Sequence, residues 1–208
     1  MIISHEHKFI FIKTAKTAST SIEVFLSPQC GPEDVVTPIR PPVEGHQPRN
    51  YEGFVNHMAA SLVRQHVPAT TWNTYFKFCV ERNPWDKVLS HYHMHASRAD
   101  GLLSLDQYLA KGKFPINYPR YTDTASGAII VDRIMRYETL NVDLAEVLGQ
   151  LNVRFGGELA VKAKSGYRTD RRPYQVVFNE RQRRIVERAF AKEIEMHGYR
   201  FESSSVMT

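Results

Sequence analysis

Cysteine is nearly absent: Cys30 and Cys79 are the only two in 208 residues, and neither sits at metal-ligand spacing. Cys79 lies inside the apolar run FKFCV, where a buried free thiol is the expected state. A reducing, cytoplasmic home fits that usage. Long hydrophobic runs are missing too, since no stretch approaches the roughly 18 consecutive apolar residues of a membrane span. The opening segment MIISHEHKFIFIK carries acid and histidine before its apolar run and no small-residue cleavage site, so it is expected to be a strand of the mature protein. A large excess of one sign of charge is missing: 27 Lys and Arg against 22 Asp and Glu leave a net charge of +5, which suits an anionic ligand but is too small an excess for wrapping DNA. The basic residues are scattered rather than interleaved with aromatics, and no nucleic-acid partner is expected. Glycine is missing where a nucleotide-triphosphate loop would need it, because G-x-x-x-x-G-K-[ST] does not occur.

What is present alternates. KFIFI, YFKFCVER and AIIVDRIMRYE are short apolar runs of strand type, and DVVTPI is a candidate for a brief further strand. Helical patterns separate them. A short helix from Ser19 carries Ile22, Val24, Phe25 and Leu26, ends at Pro28, and has Thr20 with Glu23 as a capping box. HMAASLVRQHV is a short amphipathic helix, and NPWDKVLSHYHMH is a helix with Asn83 as N-cap and Pro84 in its first position. SLDQYLAKG and LNVDLAEVLGQL follow. The last helix has an Asn179–Gln182 cap pair, a stripe of Ile185, Val186, Ala189, Phe190 and Ile194, and Gly198 as its stop. Strands alternating with helices predict an α/β fold, a parallel sheet covered by helices on both faces, in a single domain over residues 1–208. Residues 27–50, with six of the eleven prolines, are expected to form an irregular excursion, either a surface loop or a lid over an active site.

Two strand-to-helix junctions carry the chemistry. In the first, KTASTS joins the KFIFI strand to its helix. Such a junction sits at the carboxyl edge of a parallel sheet, where unpaired helix N–H groups favour an anion. Small residues admit close approach, Thr17, Ser19, Thr20 and Ser21 offer hydroxyls, and Lys16 adds charge at the rim. The plainer reading is a helix cap beside a solvated lysine. In the second junction, Arg82 ends a strand, Asn83 opens a helix, and Ser90 lies about two turns in. A guanidinium and a hydroxyl so placed could grip a second phosphate.

Together, KTASTS after an N-terminal strand and RNPWDKVLSHY after a central one resemble the two nucleotide motifs of sulfotransferases that use 3′-phosphoadenosine 5′-phosphosulfate (PAPS). The similarity is greatest to the carbohydrate type, sulfotransferase family 2, which includes the heparan sulfate 2-O-sulfotransferases. It extends to NHMAA, RYETL and EIEMHGYRF in the expected order. The resemblance implies a P-loop-like sheet. It implies that Lys16, Thr17, Ala18, Ser19, Thr20 and Ser21 hold the 5′-phosphosulfate end of PAPS and that Arg82 and Ser90 hold its 3′-phosphate. It also implies that a segment around Ser165, Tyr167 and Arg168 closes over the nucleotide. Two positions depart from the pattern: Lys87 stands where many relatives have arginine, and Glu81 where they are often apolar.

Sulfuryl transfer depends mostly on positioning and on stabilising charge at the leaving oxygen, by analogy with phosphoryl transfer. Lys16 is the expected neutraliser, and no metal is expected. The resemblance makes His57, in NHMAA, the base for the acceptor hydroxyl, with Glu52 in reserve; alternatively His57 caps the helix beginning there. His91, His93 and His95 invite a zinc reading, but only His91 and His95 share a helical face, and no third ligand is visible. Lys162, Lys164, Arg168, Arg171 and Arg172 form a basic loop that could draw in an acidic acceptor. The expected function is transfer from PAPS to a hydroxyl of a carbohydrate or small alcohol. A non-catalytic nucleotide-binding module and a kinase with a degenerate phosphate loop are the alternatives.

Overall fold

The computed structural model describes residues 1–159, 167–168 and 170–201. Five strands form one sheet: β1 (Ile2–Ser4), β2 (Phe9–Phe11), β3 (Val35–Val36), β4 (Phe76–Glu81) and β5 (Arg133–Arg136), in the order β3-β1-β2-β4-β5. The three apolar runs of strand type supply β2, β4 and β5, which pair in parallel with Phe11 opposite Phe78 and Val80 opposite Met135. The parallel pattern stops there. β1 pairs antiparallel with both β2 and β3, so the sheet is mixed. The cause is loop length: only His5–Lys8 separate β1 from β2, and a link that short permits a hairpin but no crossover.

The chain divides into two compact units, Met1–Glu81 with Asn117–Ala163 and Arg82–Ile116 with Lys164–Thr208. The first holds the whole sheet together with α1 (Ser19–Leu26), α2 (Ala60–His66), α3 (Ala69–Thr74), α6 (Tyr118–Tyr121) and α7 (Leu140–Gln150). Phe9, Phe11, Phe78, Val80 and Met135 point to one face and share a core with Ile22 and Leu26 of α1 and Leu144 and Leu148 of α7. The alternate residues Ile3, Ile10 and Cys79 are buried as well, so the sheet is covered on both faces and its strands read as continuous apolar runs.

The described part of the second unit is helical: α4 (Pro84–Arg98), α5 (Leu105–Ala110), α8 (Tyr174–Val177), α9 (Glu180–Ala189) and α10 (Ala191–His197). Its core gathers Trp85, Val88, Leu89, Tyr108, Leu109, Phe178, Val186 and Phe190. Asn83 caps α4 by accepting from the N–H groups of Trp85 and Asp86, and Asn179 with Gln182 makes a full capping box on α9. Two expectations about helices change. The final stripe is not one helix: it breaks at Phe190, whose ψ of 20° leaves the helical range and lets α10 turn away from α9 before Gly198 ends it in the left-handed region. Thr20 and Glu23 make no capping box, because Ala18 is the N-cap and Glu23 turns inward.

Candidate functional site

After β2 the chain runs through Lys13 and Thr14 into the KTASTS loop. The Thr14 hydroxyl donates to the Val80 carbonyl at 2.6 Å, which fastens the loop to β4. Lys16 and Ala18 both adopt left-handed backbone, with φ of 62° and 58°, and Thr17 between them does not. Left-handed residues alternating with right-handed ones can gather backbone N–H groups into an anion-binding hollow, and this stretch leads into the N-terminus of α1. Hydroxyls brace the turn from behind: Thr17 and Ser19 lie 2.8 Å apart, Thr14 and Thr17 2.8 Å apart, and all three are buried. Lys16, Ala18 and Thr20 are half-buried, while Ser21 is buried. Behind the loop, Glu23 is bonded to Lys13 and to the amino group of Met1. Burial alone would raise its pKa, but those two cations hold it below the usual carboxylate range.

His57 belongs to the same unit. It does not cap α2, whose N-cap is Ala59; instead it is left-handed itself, with φ of 62°. Its Nδ1 lies 3.2 Å from the Lys13 carbonyl. A carbonyl only accepts, so Nδ1 carries the proton and Nε2 keeps the lone pair. Burial, reinforced by the charges of Lys13 and Arg120, lowers the His57 pKa to about 4, which leaves the ring neutral at pH 7. Arg120 donates from Nη1 to the His57 carbonyl. Glu52, the reserve base, is exposed.

Arg82 and Arg168 fall in the second unit, where Asp86 joins them. Arg82 donates from Nε (2.8 Å) and Nη2 (2.6 Å) to Asp86 Oδ2, and Arg168 donates from Nη1 to Oδ1 at 2.5 Å. Burial would raise the Asp86 pKa, but the two guanidiniums outweigh it and hold the carboxyl below its ordinary range. Arg168 is fixed further by donating to the carbonyls of Asp170 and Arg172. Ser90 lies half-buried on α4, and Tyr167 is half-buried. Ser165, Lys162 and Lys164 lie outside the described residues. Arg171 is exposed, and Arg172 is engaged with Asp170 at 2.7 Å.

No family model matches the chain. Over 101 residues, 46% of this chain and 83% of the relative, it is 35% identical to an uncharacterized protein of Archaeoglobus fulgidus. The chain belongs to the same family as that archaeal protein.

His91 and His95 do share a face of α4. Their Nε2 atoms lie 3.2 Å apart, and His91 Nδ1 lies 2.7 Å from the Tyr108 hydroxyl. Among the described residues no group of three or more His, Cys, Asp or Glu is placed to hold a metal ion, and no helix is long and apolar enough to cross a membrane. The proline-rich stretch is tied down at its far end, where Arg49 donates to the carbonyls of Ser27, Cys30 and Gly31. Between its ends it borders a half-open pocket of about 290 Å³ lined by Pro38, Ile39, Arg40, Pro42, Val43, His46 and Pro48.

Sequence reasoning missed three residues that hold expected site residues in place: Asp86, Arg120 and Asn117. The first could have been found from its i,i+4 spacing to Arg82. The other two come from α6 and the residue before it, far along the chain from the loops they touch.

Proposed function

We propose that the protein transfers a sulfuryl group from PAPS to an acceptor hydroxyl of a carbohydrate or small alcohol. The observation that carries this reading is the pair of left-handed residues, Lys16 and Ala18, at the head of α1. A loop held in that strained form without glycine needs a reason, and strain of this kind collects at ligand sites. The resemblance supplies the ligand: the loop takes the phosphosulfate end of the donor, Arg82 and Ser90 take its 3′-phosphate, and the segment with Arg168 closes over the nucleotide.

In the reaction, the bond from sulfur to the bridging phosphate oxygen breaks as a bond from sulfur to the acceptor oxygen forms. Adenosine 3′,5′-bisphosphate leaves. Lys16 offsets the charge that builds on the departing oxygen. The acceptor proton goes to His57 Nε2, the nitrogen left free by the Lys13 carbonyl. The low His57 pKa keeps that nitrogen unprotonated at neutral pH, and the proton it gains is passed on to solvent.

The test is incubation of the pure protein with sulfur-labelled PAPS and a panel of glycans and alcohols, with calorimetry of adenosine 3′,5′-bisphosphate alongside. Labelled acceptor together with nucleotide binding is the expected result. Failure of both removes the reading. Binding without transfer that survives Lys16→Ala points to a non-catalytic nucleotide module, and magnesium-dependent ATP binding points to a kinase.

A further inference from the structure

We infer that Glu81 and Asn117 are positioning residues that set the anion loop by gripping Ala15, the residue just before left-handed Lys16. This rests on the reading of that loop as an anion site. Both side chains are fully buried. Asn117 Oδ1 accepts from the Ala15 N–H at 2.8 Å, and Asn117 Nδ2 donates to the Ala15 carbonyl at 3.1 Å, so one carboxamide holds both backbone groups of Ala15. The same Nδ2 donates to Glu81 Oε1 at 3.2 Å, and the Tyr121 hydroxyl donates to Glu81 Oε2 at 3.0 Å.

The two ends of a carboxamide have nearly the same shape, so shape alone does not decide which way Asn117 faces. Glu81 decides it. Turned over, Asn117 would set its oxygen against the Glu81 carboxylate and the Ala15 carbonyl, and its NH₂ against the Ala15 N–H; all three contacts would repel. An apolar side chain at position 81 would remove that decision and take away the acceptor that Asn117 Nδ2 has in Glu81. Glu81 is thus the orienting group for a clamp whose other end is the loop carrying Lys16, Thr17 and Ala18.

Sulfate keeps a constant charge from pH 8 to 5 and serves as the probe. The ¹⁵N-labelled full chain is titrated with it, and the amide signals of residues 15–21 are followed. Asn117→Asp is expected to weaken sulfate binding at least ten-fold at pH 8, because the new carboxylate faces the Ala15 carbonyl and Glu81. The gap to the wild type should narrow as pH falls to 5, since a protonated carboxyl donates where the amide NH₂ did. Glu81→Gln, which can still present an oxygen to Asn117, should stay within about three-fold of the wild type, and Glu81→Leu should not. Equal affinity in all four proteins, or a loss that is the same at every pH, overturns the inference while leaving the loop an anion site. A wild type that binds neither sulfate nor adenosine 3′,5′-bisphosphate overturns the reading of the loop and the inference with it.

Discussion

Lys87 Nζ donates to Glu193 Oε2 at 2.7 Å with both side chains fully buried, joining α4 to α10 inside the helical unit. The ammonium also sits 4.8 Å from the centre of the Phe190 ring. A buried pair of this kind is worth little relative to an apolar pair of the same shape, but removing one partner strands a charge. Lys87→Met alone should therefore cost about 3–5 kcal/mol. The double change Lys87→Met with Glu193→Leu should return stability to within about 1 kcal/mol of the wild type, or above it. Urea unfolding of the four proteins of the cycle gives the coupling directly. Equal losses in the single and double variants would mean that packing, not charge, accounts for the effect.

Ala18 gives a cleaner test of the strained loop. A residue with a Cβ at φ of 58° is destabilised by about 1–2 kcal/mol relative to right-handed backbone, and glycine is not. Glycine gives back about 0.5–1 kcal/mol through its freer unfolded chain. Ala18→Gly is thus expected to raise stability by up to about 1.5 kcal/mol, whereas Ala18→Val should lower it by more than about 1 kcal/mol. Thermal unfolding decides the signs. A loss in both variants would show that the left-handed turn is not strained.

The strands, the helix caps and this loop also show how far the sequence could be read. The strands were legible because FIF and FKFCVE are short apolar runs bounded by charge, and Asn83 and Asn179 declared their helices through cap chemistry that is local in the chain. The antiparallel β1 was not resolved from β2, because the apolar stretch Met1–Ile3 is too short to stand out as a strand of its own and the turn at Lys8 is left-handed without a glycine to announce it. The same blindness applies to the loop: Lys16 and Ala18 adopt the left-handed backbone that glycine favours, and no propensity argument assigns it to them. Glu23 was misread because i,i+3 spacing fits a capping box equally well whether or not a buried Lys13 competes for the carboxylate. The role of Glu81 is not legible in the sequence, because its partners Asn117 and Tyr121 lie 36 and 40 residues further along the chain.

Asp86 orders Arg82, which the proposed function assigns to the 3′-phosphate, and Arg168, which it assigns to the closing segment. Removing Arg82 deletes one grip and leaves Asp86 facing Arg168 alone, so Arg82→Ala should weaken adenosine 3′,5′-bisphosphate binding by at least ten-fold with a smaller change in kcat. Asp86→Asn keeps both arginines but loosens them, and a weaker loss of affinity is expected. Its stability should change with pH as well. The folded carboxyl titrates below its unfolded value, so it stabilises the wild type above about pH 4, and that contribution fades as pH falls. Calorimetric affinities at two salt concentrations check the first claim; an unchanged Kd in Arg82→Ala would remove Arg82 from the site.

His57 links the chemistry to pH in a direction that can be worked out. Its folded pKa, about 4, lies below the ordinary 6.5, so the unfolded chain binds the proton first. Stability from this residue is complete above pH 6.5 and is lost as pH falls from there toward 4. The same shift predicts a ring that remains neutral, with Nε2 able to accept a proton, down to about pH 5, where an unperturbed imidazole would already be mostly charged. NMR titration of the His57 Cε1–H signal reads the pKa without any substrate. His57→Ala should lower kcat by about 10²–10⁴-fold with nucleotide affinity within about two-fold of the wild type. Arg120→Met, which removes one of the two cations beside the ring and the donor to the His57 carbonyl, should move the His57 pKa upward while leaving the ring on the Lys13 carbonyl. Full turnover in His57→Ala would place the base elsewhere, and a His57 that titrates near 6.5 in the wild type would show that its surroundings are wetter than the buried contacts with Lys13 and Arg120 require.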